Sequence, residues 1–298
     1  ISLSNNDSGG TGGADSSSGN TIFGNLAGAN LDSGSINNIL IGHHAGKGWS
    51  GSTNDYTGNV LIGGNSGRDI TQGDENVAVG YNAGRYIQQG DSNTLLGHNA
   101  GNAVLNANNN TIVGANAGDA ISSGANNSIL GTLALSTATT ALNNVFIGKS
   151  AGEDIQAGQA LNGVVAIGWE SFKGGGSTTT AANGTIAIGY ESLKALTTGG
   201  ANTAIGYASM DAATTSGNNV AIGYNSLSSV VDSCNSNVAV GVQALQNLAL
   251  GTNSGAGSNS VNGNVGVGYN AFGSASLGSF SDSTDREILG NIAIGKNA

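Results

Sequence analysis

The two carboxylates best placed for chemistry along the chain are Glu170 and Glu191. They hold matching places in two related phrases, WESFK and YESLK, whose first residues are 21 positions apart. On adjacent turns of a repeating fold they would lie about 5 Å apart, a separation that a retaining glycosidase uses. We favour another interpretation, in which Lys173 and Lys194 pair with them in an exposed ladder, because any repeat duplicates its positions. The sequence therefore predicts a protein that is not an enzyme and has no catalytic residue.

A second chemical feature is a column of aromatic residues, each directly after a glycine in four consecutive repeats. An exposed aromatic column suits the binding of a glycan or of another protein. The alternatives are a stacking ladder with a structural role and a surface that is buried against a partner chain. The predicted ligand-binding residues are Trp169, Tyr190, Tyr207 and Tyr224, and Tyr81 and Tyr269 share their column.

The histidines and the cysteine predict no metal site, no cofactor and no nucleophile. His43, His44 and His98 are the only histidines, and neighbouring side chains in a strand or tight turn diverge, so we expect scattered surface residues. Cys234 is the only cysteine, and no paired histidine motif accompanies it, which argues against nucleophilic catalysis. A single thiol also excludes a disulfide within the chain.

An acidic segment near the end of the chain, SDSTDRE, contains Asp282, Asp285 and Glu287. Ca²⁺ binds clustered oxygen ligands, but this spacing is not that of an EF-hand, and we expect a solvated insertion instead. Phosphate-binding fingerprints are absent as well, because the GxG pieces recur as turns of the repeat and lack a following helix.

All of these candidates are positioned by an internal repeat, in which an apolar triplet is closed by a glycine that we call the anchor glycine. Seven of the 14 intervals between anchor glycines are 17 residues long, and the insertions fall between the triplets. Loops on a fixed scaffold tolerate insertions in this way. The fifteen anchor glycines are Gly24, Gly42, Gly63, Gly80, Gly97, Gly114, Gly131, Gly148, Gly168, Gly189, Gly206, Gly223, Gly241, Gly268 and Gly295.

The columns of the repeat predict its interior. The residue before the anchor glycine is large and apolar in every copy, and the third residue before it is β-branched in 14 of 15 copies, with Ser128 the exception. Because side chains alternate along a strand, these two positions share a face, which we expect to line the inside of the coil. The asparagine four before the glycine predicts a side-chain ladder or a turn cap. The small residue three after it, always Ala or Ser, predicts close packing.

These observations predict an all-β fold, a single-chain parallel β-solenoid of about fifteen coils. Seventeen residues span at most about 56 Å, enough for one flattened coil and too few for a propeller blade or a βαβ unit. Side-chain volume moves from the second residue before the anchor glycine to the fourth after it near residue 160. We therefore expect a leader at 1–19, one solenoid segment at 20–160 and a second at 161–298.

Composition supports a thin, repeated core and excludes several function classes. The 298 residues include 52 glycines and no proline, and only 9% are charged, against about 25% in an ordinary domain. A net charge of −10 argues against nucleic acid as a partner. No stretch reaches the roughly 18 apolar residues of a membrane span, so membrane insertion is not expected.

The two ends of the chain suggest assembly. The last residues, IAIGKNA, stop inside a motif, and a bare solenoid end exposes a strand edge. The opening ISLS segment could add a strand to such an edge. We predict head-to-tail contacts through Ile1, Leu3, Ile292 and Ile294.

Three phrases carry a resemblance to a known family: NVAVGYNAG at 76–84, NVAIGYNSL at 219–227 and NVAVGVQAL at 237–245. They resemble the head repeats of trimeric autotransporter adhesins, and similar runs occur in phage tail fibres. The likeness covers residues 20–298. It implies a left-handed parallel β-roll with three chains per head.

Two functions follow as expectations. The first is an extracellular, cell-surface or virion fibre module, a homotrimer that projects from a surface and binds a receptor, glycan or matrix. The second is a filament subunit that stacks head-to-tail through its solenoid ends, since heterologous contacts that do not close make fibres.

Overall fold

The computed structural model of the chain describes residues 18–158, 160–175, 182–229, 234–247, 249–250, 259–273, 276–277 and 286–298. Within these residues every regular element is a β-strand. These residues contain no helix that could span a membrane. The chain forms two compact units, Ile1–Asn144 and Val145–Ala298.

The first unit contains one parallel sheet in which strands pair in chain order. Each strand is a three-residue apolar triplet, and its partner in the next coil is the same triplet one repeat later, as in the pairing of Val77 with Thr94. The strands are β1 (Thr21–Phe23), β2 (Ile39–Ile41), β3 (Val60–Ile62), β4 (Val77–Val79), β5 (Thr94–Leu96), β6 (Thr111–Val113) and β7 (Ser128–Leu130).

The second unit continues the same pattern and adds two short sheets at the insertions. Its strands are β8 (Val145–Ile147), β9 (Val165–Ile167), β10 (Ile186–Ile188), β11 (Thr203–Ile205), β12 (Val220–Ile222), β13 (Cys234–Asn235), β14 (Val238–Val240), β15 (Ala249–Leu250), β16 (Asn259–Asn262), β17 (Val265–Val267), β18 (Ser276–Leu277), β19 (Arg286–Leu289) and β20 (Ile292–Ile294).

The strand order of the main sheet in the second unit skips the strands of the insertions. Its order is β8-β9-β10-β11-β12-β14-β17-β20, while β13-β16-β19 and β15-β18 form the two smaller sheets. Every described pairing is parallel, as β10 with β11 illustrates. The predicted all-β parallel solenoid is confirmed. The segment boundary expected near residue 160 stays a prediction.

The prediction for the strand faces is wrong. The middle residue of each triplet faces the coil interior, and the two large residues on either side of it face outward. Leu95 is fully buried, whereas Leu96 is 47% exposed. The same holds for Ile129 at 1% and Leu130 at 48%. Because side chains alternate along a strand, the middle residue alone enters the interior and the two flanking residues point outward together.

Each coil turns through a fixed set of left-handed backbone positions. The anchor glycines have φ between 127° and 142°, as at Gly295 and Gly24. Left-handed residues also recur at the fifth residue before the anchor glycine and at the second and fourth after it. Asn and Gly, which tolerate this conformation, supply many of these positions, as at Asn65 and Gly67. The predicted turn at the anchor glycine is confirmed.

The anchor glycine is required by the close approach of successive coils as well as by its φ. A Cβ built on Gly97 would lie 2.7 Å from the carbonyl oxygen of Gly114, and one on Gly206 would lie 2.4 Å from that of Gly223. No side chain fits against backbone at these distances. The column of anchor glycines is therefore a steric condition for stacking.

The asparagines four before the anchor glycine form the predicted ladder inside the coil. The side-chain oxygen of Asn76 accepts hydrogen bonds from both the backbone N–H and the side-chain amide of Asn93, each at 3.0 Å. The amide of Asn93 also donates to the carbonyl of Ala107 at 2.7 Å. Asn110 repeats the arrangement on Asn93. Each rung thus satisfies buried backbone groups at a turn, which lowers the cost of burying them.

Candidate functional site

The predicted aromatic column is present in the second unit as a stack of four rings. The ring centroids of Trp169 and Tyr190 are 4.7 Å apart with 20° between the ring planes. Tyr190 and Tyr207 are 4.7 Å apart at 2°, and Tyr207 and Tyr224 are 5.3 Å apart at 17°. Each ring follows an anchor glycine, so the rise between parallel strands, about 4.8 Å, sets the ring spacing.

The stack is open to solvent. Tyr190 is 40% exposed, and Tyr207 and Tyr224 are each 48% exposed, while Trp169 is half-buried. Desolvation, and then the charge of Glu191, raise the pKa of Tyr190, so its phenol stays a hydrogen-bond donor at neutral pH. Stacking and exposure occur together here. The rings form a ladder with one another and still present their edges and hydroxyls for contact with a ligand.

The two glutamates beside this stack are tied to lysines. Lys194 Nζ lies 2.7 Å from Glu170 Oε2 and 3.0 Å from Glu191 Oε1, bridging the two carboxylates. Lys173 Nζ lies 3.4 Å from Glu170 Oε1 and also approaches Glu153 at 3.8 Å. The arrangement is the lysine-paired ladder that the sequence favoured.

The electrostatics at Glu170 do not suit a general acid. Burial raises the pKa of Glu170, but the hydrogen bond from Lys194 and the charges of Lys173 and Lys194 outweigh it, so that the pKa is lowered. A glycosidase acid needs the opposite shift, toward a carboxyl group that keeps its proton near neutral pH. The prediction that the chain is not an enzyme stays a prediction.

The other two members of the aromatic column stand apart from the stack. Tyr81 is 55% exposed, and its ring lies 5.8 Å from that of His98, nearly parallel at 9°. Tyr269 is 50% exposed, and Lys296 Nζ lies 5.9 Å from its ring centroid. Each therefore offers one aromatic ring with one neighbour rather than a continuous platform.

The histidines do not form a metal-ligand cluster in the described part of the chain. His43 and His44 have ring centroids 3.7 Å apart. Desolvation, followed by the charge of His43, lowers the pKa of His44. No group of three or more potential ligand residues capable of holding a metal ion occurs among the described residues.

Two further candidates from the sequence are the cysteine and the acidic segment near the end of the chain. Cys234 is buried at the start of β13 and forms no disulfide. Asp282 and Asp285 lie outside the described residues, as does the side chain of Glu287.

Of the predicted assembly residues, Ile1 and Leu3 also lie outside the described residues. Ile292 and Ile294 of β20 are 72% and 70% exposed, more than any other described large hydrophobic residue. Whether these residues form an assembly contact stays a prediction.

Sequence reasoning missed two surfaces. The first, which we call the outer strand face, consists of the residues directly before and three before the anchor glycines. None of these residues is buried at any of the fifteen anchor glycines. The second is a cleft lined by basic and aromatic residues in the first unit. The signal for the cleft is present in the sequence as three cations, each five residues after an anchor glycine, in successive coils.

Comparison with protein-family models, with characterised proteins and with solved structures yields no match to this chain. The parallel solenoid therefore rests on the strands and their register. The resemblance to adhesin heads and tail fibres enters only as part of a proposal.

Proposed function

We propose that the chain is a structural and adhesive fibre module, extracellular or on a virion, that associates with copies of itself and binds a receptor, glycan or matrix. The observation that carries this proposal is the outer strand face. Phe23, Leu96 and Leu130 are about half exposed on it, at 53%, 47% and 48%. Covering apolar surface contributes about 25 cal/mol per Å², so a repeated apolar face favours association.

Identical chains are the partners that this face suits best. The face recurs with the period of the repeat, and another copy presents the same period in the same order. Closed symmetric contacts bury such a face completely and stop growth at a defined number of chains. The resemblance to trimeric adhesin heads favours three.

The stack of Trp169, Tyr190, Tyr207 and Tyr224 is the proposed ligand surface. Rings at a regular spacing with exposed edges suit the apolar faces of sugars or an extended protein segment. The acidic chain around them argues for a neutral or cationic ligand at this surface, since the chain carries 18 acidic residues against 8 basic ones.

Light scattering of the full chain tests the association. The parent chain and Gln89→Glu, an exposed change away from the strand face, are expected to give the mass of three chains. Leu96→Glu and Leu130→Glu place a charge in the face and are expected to give single chains. A parent chain that is monomeric at all concentrations would overturn the self-assembly.

A glycan and matrix-protein array tests the ligand surface. Tyr190→Ala and Tyr207→Ala are expected to weaken binding at least about tenfold, because each removes a ring from the middle of the platform. Tyr81→Ala is the matched control, since Tyr81 occupies the same column away from the stack. Equal binding by all three variants would exclude the stack as the ligand surface.

A head-to-tail filament is the second candidate, and one observation favours it. The pairing of β20 with β17 is its only described strand pairing, and its outward residues Ile292 and Ile294 are the most exposed of their kind. Any continuation of the sheet, by another chain or by more of this one, would cover them. Electron microscopy of the chain would show unbranched filaments if this candidate holds, and Ile292→Lys with Ile294→Lys should abolish them.

A further inference from the structure

The first unit has a cleft of about 300 Å³ that we call the basic cleft, and Lys47, Trp49, Arg68, Asp69 and Tyr86 contribute to its lining. It lies in a coil that departs from the usual repeat, because 21 residues instead of 17 separate the anchor glycines on either side of Trp49. Residues 47–50 of this longer coil form one wall of the cleft.

The wall that carries Trp49 is held in place by one buried asparagine. Asn54 is 2% exposed, and its side-chain oxygen accepts a hydrogen bond from the backbone N–H of Trp49 at 2.8 Å. Its amide donates to the carbonyls of Trp49 and Asn30 at 2.9 Å and 3.0 Å. Trp49 as a whole residue remains 50% exposed. A large aromatic ring is thus fixed at its backbone and presented at the edge of the cleft.

The charge of the cleft is opposite to that of the chain. The whole chain has 8 basic residues and a net charge of −10, yet Lys47, Arg68 and Arg85 follow one another in a single column. Asp69 accepts a hydrogen bond from Arg68 Nε at 2.9 Å, which orients the guanidinium and uses one of its five N–H donors. Among the described residues, no carboxylate pairs with Lys47 or with Arg85.

Two further observations place this positive charge beside the cleft. The Arg85 guanidinium lies 4.8 Å from the ring centroid of Tyr86, one of the lining residues. The charges of Lys47 and Arg68 also contribute to lowering the pKa of His44, behind desolvation and the charge of His43. A positive potential next to two partly exposed aromatic rings is suited to an anionic group that is attached to a ring-shaped apolar face.

We propose that the basic cleft binds an acidic saccharide, with its carboxylate or sulfate on Arg68 and Lys47 and a sugar face on Trp49. Arginine binds such groups through two parallel N–H bonds, and charge-assisted hydrogen bonds are roughly twice as strong as neutral ones. The proposal does not rest on the fibre function or on the aromatic stack of the second unit. It assigns a separate ligand, of opposite charge preference, to a separate surface.

Tryptophan fluorescence of the full chain is the direct test, because the chain has only two tryptophans. In Trp169→Phe the indole of Trp49 is the only reporter. Titration with an oligouronate and with a sulfated oligosaccharide is expected to change its emission, with affinity falling as salt rises. The saccharide that binds more tightly shows whether the cleft prefers a carboxylate or a sulfate. A neutral oligosaccharide of the same length is expected to bind at least about tenfold more weakly, the loss of one charge-assisted contact. An equal affinity for the neutral sugar would overturn the proposal.

Variants in the same background separate charge from ring. Lys47→Gln and Arg68→Gln are each expected to lower affinity about tenfold, while Lys149→Gln, which removes an exposed lysine elsewhere, leaves it unchanged. Unchanged affinity in the first two, with melting temperatures equal to the parent, would exclude the cleft. Trp49→Ala, followed by calorimetry, is expected to abolish saccharide binding. Oligoglutamate or inorganic sulfate binding as tightly as the saccharides would show that the ring contributes nothing and would overturn the saccharide assignment.

Discussion

The two units have the same backbone but fill their coils in opposite ways. In the first unit, Leu95 occupies the middle of its triplet and Gly101 the fourth position after the anchor glycine. In the second unit, Ala187 and Leu193 hold these two positions. Leu95, Ala187 and Leu193 are all fully buried. The exceptions are Ala78 and Leu135 in the first unit and the pair of Phe146 and Gly152 in the second.

The exchange is a steric one between two positions that touch. A Cβ on Gly101 would lie 2.6 Å from Leu95 Cδ2, and a Cβ on Gly266 would lie 2.8 Å from Leu245 Cδ2. In most coils, therefore, one of the two positions is small where the other is large. The backbone at Leu193 is left-handed, with φ of 51°, close to the 54° of Gly101.

In this fold, the free energy gained by burying a side chain outweighs the backbone preference of the residue that carries it. A left-handed leucine costs roughly 1–2 kcal/mol. Burying its side chain contributes about 1.5–3 kcal/mol, which offsets that cost. The coil shape is set by backbone stacking, and the interior volume can be supplied from either wall.

The largest effect is expected at the feature that both units share. Gly97→Ala in the first unit and Gly206→Ala in the second should each destabilise by at least about 4 kcal/mol, since a Cβ meets the next coil's carbonyl and the φ is one that only glycine adopts. Hydrogen exchange at the affected coils measures the loss. Gly51→Ala is the control for backbone strain without a clash and should cost much less, because its φ is 83° but nothing lies within 4 Å of its Cβ position. If one unit tolerated its alanine substitution and the other did not, the two units would not share the same backbone requirement at the anchor glycine.

The next effect concerns the asparagine ladder, which is unbroken in the first unit and interrupted at Val164 and Thr185 in the second. Asn93→Val is expected to cost about 3 kcal/mol, because the carbonyl of Ala107 and the N–H of Asn110 lose buried partners. Thermal unfolding followed by circular dichroism measures this. A loss under about 1 kcal/mol would mean that water can hydrogen-bond to these backbone groups as well as the asparagine does.

The exchange of volume can be tested directly in the first unit. Gly101→Leu and Leu95→Ala should each destabilise by about 2–3 kcal/mol, the first by overpacking and the second by a cavity. The double variant imitates the second unit and should recover about 2 kcal/mol relative to the sum of the two changes. A double-mutant cycle in urea measures the coupling. Strictly additive changes in the free energy of unfolding would show that the two positions do not compensate for each other.

A smaller effect of opposite sign is expected at the break in the ladder. The hydroxyl of Thr185 is buried and has no hydrogen-bond partner among the described residues. Thr185→Val should therefore raise stability by about 1 kcal/mol, seen as a higher melting temperature. Asn93→Val alters the same column in the first unit and is expected to lower stability instead of raising it. A lower melting temperature for Thr185→Val would indicate that the hydroxyl is hydrated.

The smallest effect is expected at the ion pairs that only the second unit has beside its aromatic stack. The pKa of Glu170 is lowered from its ordinary value of 4.5, so its pairing contributes stability above that pH and loses it as pH falls through the lowered value. Lys194→Met should raise the pKa of Glu170 and cost under about 1 kcal/mol at neutral pH. Titration by nuclear magnetic resonance measures the pKa, with Lys149→Met as the control. An unchanged pKa would mean that Lys173 alone holds the carboxylate.

Much of the fold could be predicted because its determinants are local and periodic. The anchor glycines, the asparagines and the small residues each occupy one column, and parallel stacking of identical units follows from their register. The alignment of Trp169, Tyr190, Tyr207 and Tyr224 could be predicted for the same reason. The direction in which Leu95 and Leu96 point could not, because alternation assigns two faces to a strand without saying which of them is the interior.

The repeat, its register and the composition of each column follow from the amino-acid sequence, since they depend only on which residue types recur and at what spacing. Which face of each triplet is buried follows from the folded coil, because the width of the coil depends on how its turns fold back. The folded chain also brings Trp49 and Arg68 together at one cleft, since an insertion's path is set by contacts such as those of Asn54 and by no period in the chain.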